Sequence, residues 1–391
     1  MKIVDVSAFY TPLGGGVRTY VDHKLRIGAD FGHEIVVIAP GRRDHVEHRA
    51  DGGRVIYLAS PALPLDKRYR YFAGPAAVHA VLDAEKPDMV EASSPWRTAS
   101  IVADWRGRAP RALIMHADPL AAYPYRWFGG VAERDVIDRQ FQWFWNHLRR
   151  AAAGFDMVVC ANESFSGRLR LGGVPGVRTM KMGVAPGLFS PERRDEGVRR
   201  DLLGRCALGP DATLLLGIGR HSAEKRWPMV IDACLRAGLH RPVGLVLIGA
   251  GRDQPKILRH IAGNPHIHLL SPIADRAMLA TVMASADALI HGCEAETFGL
   301  VAAEAVASGL PLIVPTHGGA ADLALPGHSE LFEPSDPSAA AEAILRLLRR
   351  DRSALKQAAM ASARNARTMD AHFEDLFAAY GDLHAHERRA A

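Results

Sequence analysis

Short aliphatic runs and longer Ala- and Leu-rich stretches alternate along this chain. The runs at residues 2–9, 35–39, 55–58, 87–91, 112–115, 155–161 and 177–182 are rich in β-branched and aliphatic residues and predict buried strands. The scheme then restarts, with strand-type runs at 213–218, 243–248, 267–270, 288–291 and 310–314. Leu and Ala recur at helical spacing over 338–350 and 354–380, predicting closing helices, and the polar tail 384–391 is expected to fray. Residues 42–54 are polar and read as loop. Strands alternating with helices predict parallel sheets in an α/β protein. There is no short-period repeat, only two similar halves.

Between the halves, GVAPGLFSP at 183–191 joins glycine and proline to a charged run at 192–200, the composition of a linker. The boundary is placed at 190. A chain of 391 residues exceeds one ordinary core and suits two domains. Hydrophobic content is 48% and aromatic content 7%, and no run approaches the roughly 18 apolar residues of a membrane helix. MKIVDVSAFY carries Lys2 and Asp5 and reads as a first strand rather than a secretory leader. Cys160, Cys206, Cys234 and Cys293 form neither a metal spacing nor a disulfide framework, which points to a reducing, cytoplasmic setting. A net charge of +5 fits nucleic acid, an anionic membrane surface or an anionic substrate. No zinc-ligand spacing or RNA-binding aromatic motif supports nucleic acid as a partner.

Candidate chemistry concentrates in EAETFGLVAAEAVASGLPLIV, residues 294–314. Glu296 and Glu304 stand on either side of seven residues. A helix starting near Gly299 would put Glu296 in the loop at its mouth and Glu304 within it, ending at Gly309 before Pro311. Such carboxylates accept hydrogen bonds from vicinal hydroxyls, and free helix N–H groups bind phosphate. His317, Gly318 and Gly319 then open a loop before a further helical run that includes Asp322. In the same half, the strand 213–218 feeds GRHSAEK, placing Arg220 and Lys225 at a helix entrance, where cations can stabilise an anion.

In the first half, Gly14, Gly15 and Gly16 follow the first strand and permit close backbone approach to a ligand, without the lysine of a P-loop. His116 follows the strand 112–115, at the carboxyl end where open α/β sheets bind ligands. Gly249, Ala250 and Gly251 lack the third glycine and later acid of a dinucleotide fingerprint and read as a plain turn. A basic aromatic cluster stands at 67–71, and a second at 123–130 suits either a membrane interface or the core of an insertion or lid.

Taken together, the acidic stretch with its EAETFGLVAAEAVASGLPLIVPTHGG context, the GRHSAEK segment and the glycine-bearing N-terminus resemble the retaining glycosyltransferases of family 4, marked by Glu, seven residues, Glu. The resemblance implies the GT-B fold: two Rossmann-like domains facing each other across a cleft. It implies an acceptor-side domain at 1–190, a nucleotide-sugar domain at 191–365, and a final helix, 366–391, returning to the first. It assigns Glu304 to the ribose hydroxyls and Glu296 to the 3- and 4-hydroxyls of the sugar. Arg220 and Lys225 take the diphosphate, Phe298, Gly299 and Leu300 complete the donor site, residues 271–273 meet the base, and Gly15, Gly16 and His116 approach from the other domain. Many relatives carry glutamate where Asp322 stands. The implied reaction moves mannose or glucose, from GDP-mannose first and UDP-glucose second, to a lipid or glycan acceptor, by a front-face route in which the leaving phosphate helps take the acceptor proton. There is no Asp-x-Asp pair, so no metal and no further cofactor is expected. The expected location is cytoplasmic, peripheral on the inner face of a membrane. A non-catalytic GT-B binding subunit and a nicotinamide-dependent oxidoreductase are the alternatives.

Overall fold

The computed structural model describes the chain except residues 12–14, 51, 65, 123, 129–131, 133 and 391, and except the side chains of 66–68, 122, 126, 134–135 and 387–390. Gly14 of the glycine run, Lys67 and Arg68, and Tyr123, Arg126, Gly129 and Gly130 of the second aromatic cluster therefore lie wholly or in their side chains outside the described residues. The chain forms two compact units. One comprises Met1–Asp118, Glu133–Lys181 and Met369–Ala391, the other Pro119–Ala132 and Met182–Thr368.

In the first unit an eight-stranded sheet runs in the order Val177–Thr179, Met157–Cys160, Arg111–Ile114, Met89–Ala92, Lys2–Val6, Glu34–Gly41, Arg54–Ala59, His45–His48. All neighbours pair in parallel except the last two. Continuous apolar strands such as Ile35, Val36, Val37 and Ile38 are buried on both faces, as parallel sheets require. The polar segment read as loop thus contains the antiparallel strand His45–His48. Its residues are half-buried or exposed, so no hydrophobic signal marks it and backbone pairing holds it at the edge.

Helix Met369–Ala390 closes this unit. Phe373, Leu376, Phe377 and Tyr380 recur at helical spacing and are buried, with Phe373 against Tyr20 at 4.8 Å between ring centroids and Phe377 edge-on to Phe31 at 5.7 Å. Two expectations fail here. The run 354–380 is not one helix but two, Arg352–Arg364 and Met369–Ala390, and the tail expected to fray is helical through Ala390.

The second unit holds a six-stranded parallel sheet ordered Ile267–Leu270, Val243–Ile248, Thr213–Ile218, Ala288–Ile290, Leu312–Pro315, Ser329–Phe332. In chain order this is 3-2-1-4-5-6, with the reversal between Thr213–Ile218 and Ala288–Ile290. Leu214, Leu216 and Ile218 pack into the core on one face and Leu215 into the core on the other. The strand Ser329–Phe332 carries Ser329 and Glu330 and escaped the hydrophobic pattern, and the helical run expected after His317 is only a short 3-10 turn, Ala321–Leu323. Near the linker, Val184 N–H donates to the Arg367 carbonyl at 3.0 Å, and a Cβ on Gly183 would stand 2.1 Å from the Thr368 carbonyl oxygen.

Candidate active site

At the carboxyl ends flanking the reversal in the second sheet, two loops emerge. The loop after Thr213–Ile218 begins with Gly219 at φ +152° and carries Arg220, Glu224 and Lys225. Trp227 anchors it, its indole N–H donating to the Arg220 carbonyl at 2.8 Å from the first position of helix Trp227–Gly238. The loop after Ala288–Ile290 carries His291, Cys293, Glu294 and Glu296 and ends at Gly299, which precedes helix Leu300–Ala307 in the left-handed region, φ +62°. A Cβ there would meet the Gly319 carbonyl oxygen at 2.9 Å, and Gly319 N–H donates to the Glu296 carbonyl at 2.6 Å, so the 317–319 loop buttresses the acidic one.

Lys225 joins the two loops through an ion pair between its ammonium and the Glu296 carboxylate. Burial works to raise the Glu296 carboxyl, but Lys225 foremost, with further contributions from His291 and Arg220, holds it down at about 2. Burial works against the Lys225 ammonium, yet Glu296 raises its pKa, so both partners are charged. Arg220 lies largely exposed and pairs with Glu224 at 3.2 Å, leaving its guanidinium open to an anion. Preorganised charges at a sheet reversal stabilise charge that grows on a leaving group.

The second glutamate has a different partner. Glu304 is buried in helix Leu300–Ala307 and is held by Arg276 from the first turn of helix Arg276–Ser285. Burial raises its carboxyl and Arg276 draws it back. Phe298 and Leu300 flank Gly299 half-buried. Asp322 belongs to the 3-10 turn and caps no longer helix.

Several residues escaped sequence reasoning. Arg226, in the left-handed region at φ +52°, pairs with the buried Glu294 at 2.6 Å, a second tie between the same loops. His291, Cys293 and Glu296 each present a ligand-type atom within 4.8 Å of the others. Cysteine spacing alone could not reveal this mixed set, and the Lys225 ammonium already sits on its carboxylate. Burial and Lys225 lower the His291 imidazole to about 4 against the pull of Glu296, and burial pushes the Cys293 thiol to about 12, so both are neutral. Arg276 carries no local signal: only folding brings it to Glu304.

In the first unit, Gly15 opens helix Gly15–Ile27 at φ +52°, a conformation that favours glycine, with open space where a Cβ would stand. Gly16 follows it within the helix. His116 lies just beyond Arg111–Ile114, its ring edge-on to Tyr20 at 5.1 Å between centroids. Burial lowers its imidazole to about 3 despite Asp5, with Lys24 and His372 acting in the same direction as burial, so it is neutral.

Two family models match. "Glycosyltransferase Family 4" matches residues 14–186 and "Glycosyl transferases group 1" residues 212–350. A GDP-mannose-dependent alpha-(1-6)-phosphatidylinositol dimannoside mannosyltransferase of Mycobacterium tuberculosis is 33% identical over 80% of this chain and 79% of its own. A GDP-mannose-dependent alpha-mannosyltransferase of Mycolicibacterium smegmatis is 28% identical over 85% and 84%. Among solved structures, a sucrose-phosphate synthase from Thermosynechococcus elongatus superposes with a TM-score of 0.77 at 19% identity, covering 98% of this chain and 99% of the other. Anabaena HepE in complex with UDP-glucose superposes at 0.70 with 16% identity, covering 98% and 100%.

Proposed function

This chain belongs to the family 4 glycosyltransferases of the GT-B fold, which move a hexose from a nucleotide sugar, and on that premise we propose that it transfers mannose from GDP-mannose, with retention, to a lipid or glycan acceptor. UDP-glucose is the second donor. The reading is carried by the Lys225–Glu296 pair at the reversal of the second sheet, with the open Arg220 guanidinium on the same loop as Lys225. Arg220 and Lys225 take the diphosphate, and Glu296 accepts hydrogen bonds from the 3- and 4-hydroxyls of the sugar. Glu304 accepts from the ribose, and Phe298, Gly299 and Leu300 line the donor. In the first unit, Gly15 and Gly16 are the candidates to meet the donor diphosphate and the acceptor, and His116 to bond the transferred sugar or steady the leaving phosphate. Glu296, already bonded by Lys225, acts as a binder rather than a nucleophile. The bond from the anomeric carbon to the diphosphate oxygen breaks as the bond to the acceptor oxygen forms on the same face, that diphosphate oxygen takes the acceptor proton, and cationic side chains supply the charge that a divalent ion provides elsewhere. Neither the binding-subunit reading nor the oxidoreductase reading is favoured by the family.

A lipid acceptor is supported by the name of the Mycobacterium tuberculosis relative. Peripheral membrane contact is supported by aromatic side chains open to solvent: Trp127 and Phe128 in the second unit, Trp96 and Trp143 in the first. Helical spacing puts Trp143, His147 and Arg150 on one face of Gln142–Ala152, rings and cation together as a headgroup region requires. Among the described residues no helix is long and apolar enough to cross a membrane. Four buried free cysteines support a cytoplasmic setting.

The test is nucleotide release from a panel of nucleotide sugars offered with phosphatidylinositol mannosides and oligomannosides. GDP release that depends on acceptor supports the reading. Release from none of the panel, or an inverted product anomer by NMR, overturns it.

A further inference from the structure

Arg276 and Glu304 form an ion pair whose two members differ sharply in burial: the carboxylate side chain is 10% exposed and the guanidinium side chain 45%. As a stabilising device such a pair is poor, since the buried acid loses hydration while the half-exposed arginine gains little from solvent-screened attraction. The alanine-rich helix around Glu304 would pack as well with an apolar residue in its place. The geometry around Arg276 is nonetheless fixed from three sides. Asp275 caps the helix, accepting from Ala277 N–H at 2.8 Å and Met278 N–H at 3.3 Å, which sets the position of the first helical residue, Arg276. Its guanidinium lies over the Phe189 ring at 5.1 Å. One of its nitrogens donates to Glu304 Oε1.

A buried carboxylate that must receive a vicinal diol needs two things: it has to stay ionised where burial favours the protonated form, and its plane has to be held before the ligand arrives. Arg276 supplies the second through its bond to Oε1, and on the first it opposes the effect of burial. Bonded at Oε1, Glu304 keeps Oε2 as a ligand acceptor.

We propose that Arg276 is a positioning residue of the donor site, holding the Glu304 carboxylate oriented to accept the ribose hydroxyls of the nucleotide. The proposal rests on the reading of Glu304 as the ribose acceptor. Arg276 acts through Glu304 and touches neither the diphosphate nor the sugar.

The experiment measures binding of GDP and 2′-deoxy-GDP, by calorimetry, to the wild-type chain, Arg276→Gln, Arg276→Lys and Glu304→Gln. A hydroxyl donating to a carboxylate gives the wild type a preference for GDP of about tenfold or more. Arg276→Gln is expected to reduce that preference to within about threefold, and Arg276→Lys to restore part of it. An arginine that merely braces the fold would weaken both nucleotides alike. A GDP preference unchanged in Arg276→Gln, alongside a lost preference in Glu304→Gln, overturns the positioning role alone. A preference unchanged in Glu304→Gln overturns the ribose assignment itself. If Arg276→Gln fails to fold by circular dichroism, Arg276→Lys carries the test: a preference at the wild-type level would show that any cation suffices and overturn the orienting role of the guanidinium.

Discussion

The Lys225 ammonium bonds the Glu296 carboxylate across 71 residues of sequence, tying the two loops at the reversal of the second sheet. A charge held in place by a partner needs no reorganisation when a diphosphate departs. Lys225→Met is therefore expected to lower turnover by roughly a hundredfold or more. It also leaves the half-buried Glu296 without its counter-ion, which costs about 1–3 kcal/mol of stability. Arg220→Gln shares the loss of turnover but not the loss of stability, because Arg220 is largely exposed. Nucleotide-release kinetics and urea unfolding separate the two effects. Equal destabilisation by both variants would contradict this account.

His291 is 2% exposed, and burial together with Lys225 lowers it to about 4, against the pull of Glu296. A base depressed in the folded state binds protons more readily when unfolded, so folding stability is complete above about pH 6.5 and declines as pH falls toward about 4. At pH 5 the loss from this one imidazole is about 2 kcal/mol. His116, lowered for the same leading reason, acts in the same direction. Thermal melts of wild type and His291→Phe from pH 7.5 to 5 check it, with the variant expected to show the shallower decline.

Lys24 lies fully buried between Asp5, at 2.6 Å, and Glu91, and Ser93 donates to the other oxygen of Asp5 at 2.7 Å. Removing the cation strands two carboxylates in the core. Lys24→Met is expected to cost about 3–5 kcal/mol at neutral pH. Burial and Asp5 already raise the Glu91 carboxyl against the pull of Lys24, and without Lys24 it rises further. The variant should thus regain stability as pH falls and Glu91 protonates, a trend opposite to that set by the buried histidines. Urea midpoints at pH 7.5 and 5.5 measure it.

Much of this molecule was legible in the chain because parallel strands buried on both faces are written as unbroken apolar runs. Thr213–Ile218 and Val243–Ile248 coincide with their expected bounds for that reason. His45–His48 and Ser329–Phe332 were missed because edge strands are held by backbone pairing and tolerate polar residues. The break at 365–368 escaped periodicity because alanine continues across it, while in the fold the segment pairs with Val184 through Arg367 and Thr368. Glu296, Glu304, Arg220 and Lys225 could be picked out by motif and spacing. Which cation meets which acid could not: Lys225 takes Glu296, whereas Glu304 is held by Arg276, a residue with no local mark.

The same pairing bears on metal dependence. His291, Cys293 and Glu296 present donor atoms within 4.8 Å of one another, a set that a thiophilic ion could use. For an ion to settle there it must displace the Lys225 ammonium and take a proton from a thiol that burial has pushed up to about 12. Both steps oppose binding at neutral pH. If Arg220 and Lys225 take the diphosphate as proposed, enzyme treated with EDTA is expected to release nucleotide at a rate within about twofold of the untreated enzyme. Complete loss on chelation, restored only by Mg²⁺ or Mn²⁺, would mean that the two cations do not suffice for the diphosphate, and the role given to Lys225 would fall with it.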